Sequence, residues 1–174
     1  MRTLHPQQAA QDVARDIDAA ADASRRNRAP DGAGWTDIHV IKAPSLTYAD
    51  VGLTFAAADA ALAPIMPRVR NFAASISAAI GAKERDPYGS YEDDAHCYAH
   101  DRGCFIKLDG KDGRLSAIWF EARTDADGLV YLFRGLRAID ALTPSIIADY
   151  WLDCTGPVGD AAFMEAYRRR LADD

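Results

Sequence analysis

The chain has 174 residues, and 26 acidic against 20 basic side chains give a formal net charge of −6. That length suits one domain, and an acidic chain lacks the positive footprint that displaces counterions from nucleic acid, which argues against DNA or RNA as a partner. Within the 49% hydrophobic fraction 34 residues are alanine, yet the larger apolar residues still suffice for a core, so a disordered chain is excluded.

The first residues, MRTLHPQQAAQDVARDID, contain no apolar run of the signal-peptide kind. The most apolar stretch, FAAADAALAPIM, carries Asp59 and Pro64 and is too short and too polar to span a bilayer. Three cysteines, Cys97, Cys104 and Cys154, are too few and too unevenly spaced for a disulfide scaffold. A reducing cytoplasm is the expected compartment, with no membrane association.

Residues 6–28 read as a thinly amphipathic helix on Val13 and Ile17, an N-terminal helical arm ending in Arg25, Arg26 and Arg28. Trp35 to Ile41 reads as a strand on Ile38 and Val40. Thr54 is a candidate cap for a helix reaching Ala63, and a second helix is expected from Pro67, with Val69, Phe72, Ala73, Ile76 and Ile80 on one stripe. Residues 83–104 break every periodicity and read as a long polar loop, a length that often marks function. A meander follows: FIKLD, the turn GKDG, RLSAIWFEART, the turn DADG, and LVYLFR. GLRAIDAL and TPSIIADYWLD read as helices, the second with Thr143 as cap and Pro144 in its first turn. CTGPVG reads as a linker, and Asp160 caps a last helix with Phe163, Met164, Tyr167 and Leu171 on one face. Segregated strands and helices imply a single α+β domain over residues 1–174: an antiparallel meander sheet of about four strands with helices packed on it. The helices expected over 143–172 offer a face for a homodimer.

The densest chemistry lies in DDAHCYAHDRGC. Cys97, His100 and Cys104, with His96 as neighbour, have the residue types and short spacings of a zinc site. Adjacent His96 and Cys97 strain joint chelation, so no metal or cofactor is expected, and the four residues stand as an alternative only. Cys97 with His39 or His100 is the matching alternative for a small metal-dependent or Cys/His hydrolase. Glu121, beside Trp119 and Phe120, either reaches solvent or needs a partner such as Arg123, Arg134 or Arg137. The phosphate-loop, dinucleotide, zinc-protease and serine-elbow motifs are missing from the sequence, which weakens an enzymatic reading.

Charge placement is the remaining signal. Residues 84–101 hold Glu84, Asp86, Glu92, Asp93, Asp94 and Asp101 against Arg85 alone, interleaved with Tyr88, Tyr91 and Tyr98. Tyrosine gives rigid amphipathic contact area, and clustered charge steers encounter with an oppositely charged surface. Glu92, Asp93, Asp94, Asp101, Tyr88, Tyr91 and Tyr98 are therefore the expected partner-binding residues.

The runs FIKLDGKDGRLSAIWFEA and LRAIDALTPSIIADYWLD, over roughly residues 104–160, resemble immunity proteins of bacterial polymorphic-toxin and type VI secretion systems. The likeness is closest to the α+β families that neutralise restriction-endonuclease-like DNase toxins. The resemblance implies a cytoplasmic toxin inhibitor, acting by protein–protein interaction, that binds a cognate toxin and carries no catalytic residues.

Overall fold

The computed structural model describes residues 1–29, 46–69, 96–101, 103–123 and 127–173. These form an α+β fold: β1 (Arg2–Pro6), α1 (Ala10–Arg26), α2 (Phe55–Leu62), β2 (Arg68–Val69), β3 (His96–Asp101), β4 (Cys104–Lys111), β5 (Arg114–Ala122), α3 (Leu129–Leu142), β6 (Ser145–Asp149), β7 (Cys154–Pro157) and α4 (Ala161–Asp173). Among the described residues one sheet of seven strands runs in the order β2-β3-β4-β5-β1-β6-β7, more strands than the expected four. Every neighbouring pair is antiparallel.

The meander exists, with FIKLD in β4 and RLSAIWFEA in β5 as expected, but its other strand is β3 and not LVYLFR. It comprises β3, β4 and β5, joined at its second turn by Asp112 and Gly113, both at positive φ. Two successive positive φ values make the hairpin turn whose twist matches the strands, and Asp-Gly supplies them at least cost. LVYLFR, expected as the third strand, is instead the first half of α3. Its buried residues Leu132, Phe133, Leu136 and Ile139 recur at helical spacing across the whole of 129–142. TPSIIADYWLD, expected as a helix, contains β6, buried at all five positions. A short apolar run between turn signals is also what a strand covered on both faces looks like. Thr143 is extended, with φ −152 and ψ 120, and closes α3 rather than opening a helix. The expected linker CTGPVG holds β7. With 145–149 and 154–157 in strands, the helical dimer face expected over 143–172 is reduced to α4.

Before α1, Arg2–Pro6 is a strand placed between β5 and β6, and a 3-10 turn over Gln7–Ala9 leads into the helix. The arm is thus fixed to the sheet. Thr54 caps α2 as expected, its hydroxyl oxygen accepting from the Ala57 amide at 3.2 Å. Asp160 caps α4 through Oδ1, which accepts from Ala162 at 2.8 Å and Phe163 at 3.1 Å. The strand expected at 35–41 lies outside the described residues. So does the helix expected from Pro67, apart from residues 67–69, of which Arg68–Val69 pair with β3 as a strand.

The sheet separates two cores. On one face α1 lays Val13, Ile17 and Ala20 over Ile146, Ala148 and Tyr150. On the other, α2, α3 and α4 bury Leu62, Leu132, Leu136, Met164 and Tyr167 against Leu4, Ile106, Ile118 and Ile147. Alternation along β6 divides its side chains between the two.

Candidate partner-binding surfaces and buried polar groups

β3 decides the fate of the Cys/His cluster. Successive side chains on a strand point to opposite faces. Cys97 and Ala99 pack with Phe105 in a small core of their own, whereas Tyr98 enters the main core beneath α2 and α3. His96 lies against Phe55 of α2, ring centroids 4.8 Å apart, and exposed His100 stacks on Tyr131 of α3 at 3.9 Å. Cys104 is buried in the main core, its Sγ 3.7 Å from the Arg123 carbonyl oxygen. The alternative zinc set of His96, Cys97, His100 and Cys104 is therefore split between two faces and several packing partners. Among the described residues no three His, Cys, Asp or Glu side chains converge as metal ligands. The Cys97–His100 nucleophile pair is separated in the same way, and His39 lies outside the described residues. Burial pushes the Cys97 thiol up to about 12, far from the thiolate a nucleophile requires.

The structure also corrects Tyr98. It is fully buried rather than presented to a partner, and its hydroxyl donates to Asp59 Oδ1 on α2. Burial first, and the Asp59 carboxylate second, raise its pKa. Tyr88, Tyr91, Glu92, Asp93 and Asp94 lie outside the described residues. Asp101 ends β3, where its backbone pairs with Cys104. The 70–95 connection has both ends tied to one strand pair, since Val69 and Cys97 are partners in the β2–β3 ladder.

Glu121 does need a cation, but none of the three expected. Its Oε1 lies 2.6 Å from Nη1 of Arg2, and Arg2 Nε reaches Asp149 Oδ2 at 2.8 Å. Asp149 is fully buried and well supplied. The same Oδ2 accepts from the Tyr167 hydroxyl at 2.9 Å, and Oδ1 accepts from the amides of Trp151 and Leu152 at 2.9 and 3.2 Å. Burial and the adjacent Asp149 charge hold the Tyr167 phenol protonated well above its usual range. A buried charge so thoroughly compensated is a structural tie joining β1, β5, β6 and α4.

A second surface was not legible in the sequence. Between α3 and α4 lies a groove of about 480 Å³. Leu129, Val130, Phe133 and Met164 give it an apolar floor, and Arg134, Arg137 and Arg168 line it with guanidinium groups. On a strand Arg134 and Arg137 would point to opposite faces; the helix α3 brings them to one.

No protein-family model, curated protein or solved structure matches this chain. Among the described residues no helix is long and apolar enough to cross a membrane.

Proposed function

We propose that this protein is a non-enzymatic immunity protein of a bacterial polymorphic-toxin or type VI secretion system, which binds a cognate toxin in the cytoplasm and blocks it through the acidic, tyrosine-bearing segment 84–101. The observation that carries the reading is the concentration of charge, six carboxylates against Arg85 in eighteen residues. A nuclease is the toxin class that fits, because a DNA-binding cleft is basic and clustered carboxylates can stand in for phosphates there. Glu92, Asp93, Asp94 and Asp101, with Tyr88 and Tyr91, are the proposed contact residues; Tyr98, buried under α2, is not among them. The antiparallel sheet with helices on both faces supports the reading as a rigid frame. Its β2–β3 pair brackets the stretch of sequence that holds five of the six carboxylates, Glu84, Asp86, Glu92, Asp93 and Asp94.

The test is co-expression with the products of the open reading frames that flank this gene, followed by affinity measurement. Wild-type protein is expected to co-purify with one of these products and restore growth. The double substitution Asp93→Lys, Asp94→Lys is expected to weaken binding at least about tenfold and to flatten its dependence on salt, since fewer ion pairs remain to be screened. Unchanged affinity in that variant would remove the acidic segment from the interface. Failure of the wild-type protein to bind or protect would remove the immunity reading itself.

A further inference from the structure

The α3–α4 groove plays no part in the toxin-blocking role proposed above, and its chemistry is of the opposite sign. Val130, in the first turn of α3, is 60% exposed at the groove, so a branched apolar side chain is offered to solvent there. Phe133 and Met164, both buried, continue that floor inward. Arg134 and Arg137 stand one helical turn apart on α3, and both are exposed. Neither makes an ion pair with any described residue; Arg134 lies 5.8 Å from the centre of the Tyr131 ring. Arg168 comes from α4 and is held by Glu165 at 3.5 Å.

The groove therefore has a cationic excess. Three guanidinium groups are set against the two carboxylates of Asp127 and Glu165. Both helices also begin here, since Leu129 and Ala161 are the first residues of α3 and α4. The amino end of a helix carries partial positive charge, which adds to the field of the arginines. Guanidinium is weakly hydrated and its planar fork matches a carboxylate. From Val130 to Arg137 the surface extends roughly 10 Å along the helix axis, the reach of a few extended residues. A volume of about 480 Å³ accommodates one or two apolar side chains.

We propose that this groove docks an acidic segment of a partner protein, one that places an apolar side chain over Val130, Phe133 and Met164 and carboxylates against Arg134 and Arg137. The inference uses different residues from the toxin-blocking surface and does not depend on it.

The probe is a fluorescein-labelled synthetic peptide of about twelve residues, with Leu at every third or fourth position and Glu elsewhere. It is titrated with the full chain and followed by fluorescence anisotropy. Saturable binding is expected. It should weaken at least about tenfold with Arg134→Glu, Arg137→Glu together, and again with Val130→Asp, because each removes one half of the recognition. Arg15→Glu, an exposed α1 residue paired with Asp12, should leave binding unchanged. Replacing Leu by Ser in the peptide should abolish saturation. Since the substituted residues are exposed, circular dichroism should show native melting; amide shift mapping on the unsubstituted protein, with changes confined to 128–137 and 161–168, gives the same answer without substitution. Equal affinity for the groove variants, equal binding of the Ser peptide, or shifts elsewhere would each overturn the proposal.

Discussion

His5 lies in the central strand with its Nε2 2.8 Å from the Thr3 hydroxyl, and both residues are buried. Burial disfavours the imidazolium and lowers its pKa to about 4. In the unfolded chain the ring titrates near its ordinary value of about 6.5. Above that pH neither state binds the proton, and His5 contributes its full stability. As pH falls from about 6.5 toward 4, only the unfolded chain takes up the proton, and stability drops. The loss should approach about 3 kcal/mol by pH 4, on the conversion of about 1.4 kcal/mol per pKa unit. Urea unfolding at pH 7.5, 5.5 and 4.5 checks this, with His5→Gln expected to flatten the dependence. A wild-type midpoint that does not move across that range would show the ring to be protonated in the fold. The same low-dielectric logic separates residues whose role the sequence could suggest from those it could not. Asp149 reads as one aspartate among 22, and only the three-dimensional return of Arg2 and Tyr167 makes it the centre of a network. Cys97 sits in the most reactive-looking stretch of the sequence, yet alternation along β3 turns it inward.

At the scale of elements, Gly156 of β7 makes room for a helix. A Cβ there would intrude on the Phe163 ring of α4, which stacks in turn on Tyr167. A ring held between neighbours gives way less easily than the end of a flexible chain, so Gly156→Ala should cost about 1–3 kcal/mol in spite of alanine's better strand propensity. Adding Phe163→Leu should recover part of that loss, and denaturant unfolding of the two single variants and the double variant measures the coupling. Additive effects would mean that the helix does not rest on the strand at this point. Caps and turns were the legible part of the fold: Thr54, Asp160 and Asp112-Gly113 work through local hydrogen bonds or backbone angles, which residue type announces directly. Short apolar runs were not. LVYLFR and SIIAD are both short runs with an apolar centre, and neither is long enough to show a period by itself. One is a helix because its pattern continues through Leu136 and Ile139; the other is a strand because β1 and β7 flank it. The candidate groove depends on that difference, since Arg134 and Arg137 come together only on the helix. The acidic segment, by contrast, is visible from composition alone, because charge density needs no geometry to be counted.

At the scale of the molecule, the two ends of the chain are joined through one carboxylate. Asp149 links Arg2 of the first strand with Tyr167 of the last helix, and Arg2 carries the link on to Glu121 of β5. Removing one member of a buried pair strands the other without compensation. Asp149→Ala is therefore expected to lower the free energy of unfolding by about 3–5 kcal/mol, whereas Tyr167→Phe, which forfeits a single hydrogen bond, should cost about 1–2 kcal/mol. Urea titrations followed by tryptophan fluorescence give both values; a near-silent Asp149→Ala would mean that the surrounding groups find water or other partners.

The position of the first strand also sets a timetable for synthesis. Residues 2–6 leave the ribosome long before their sheet neighbours at 114–122 and 145–149, and the hydrogen bond from Arg2 to Asp149 closes a span of 147 residues. Until those segments emerge, the middle of the sheet has no flanks and its apolar edges stand open to wrong pairing. A nascent chain of this design depends on being finished and shielded promptly, and a fusion attached ahead of residue 2 would load the centre of the architecture rather than its rim.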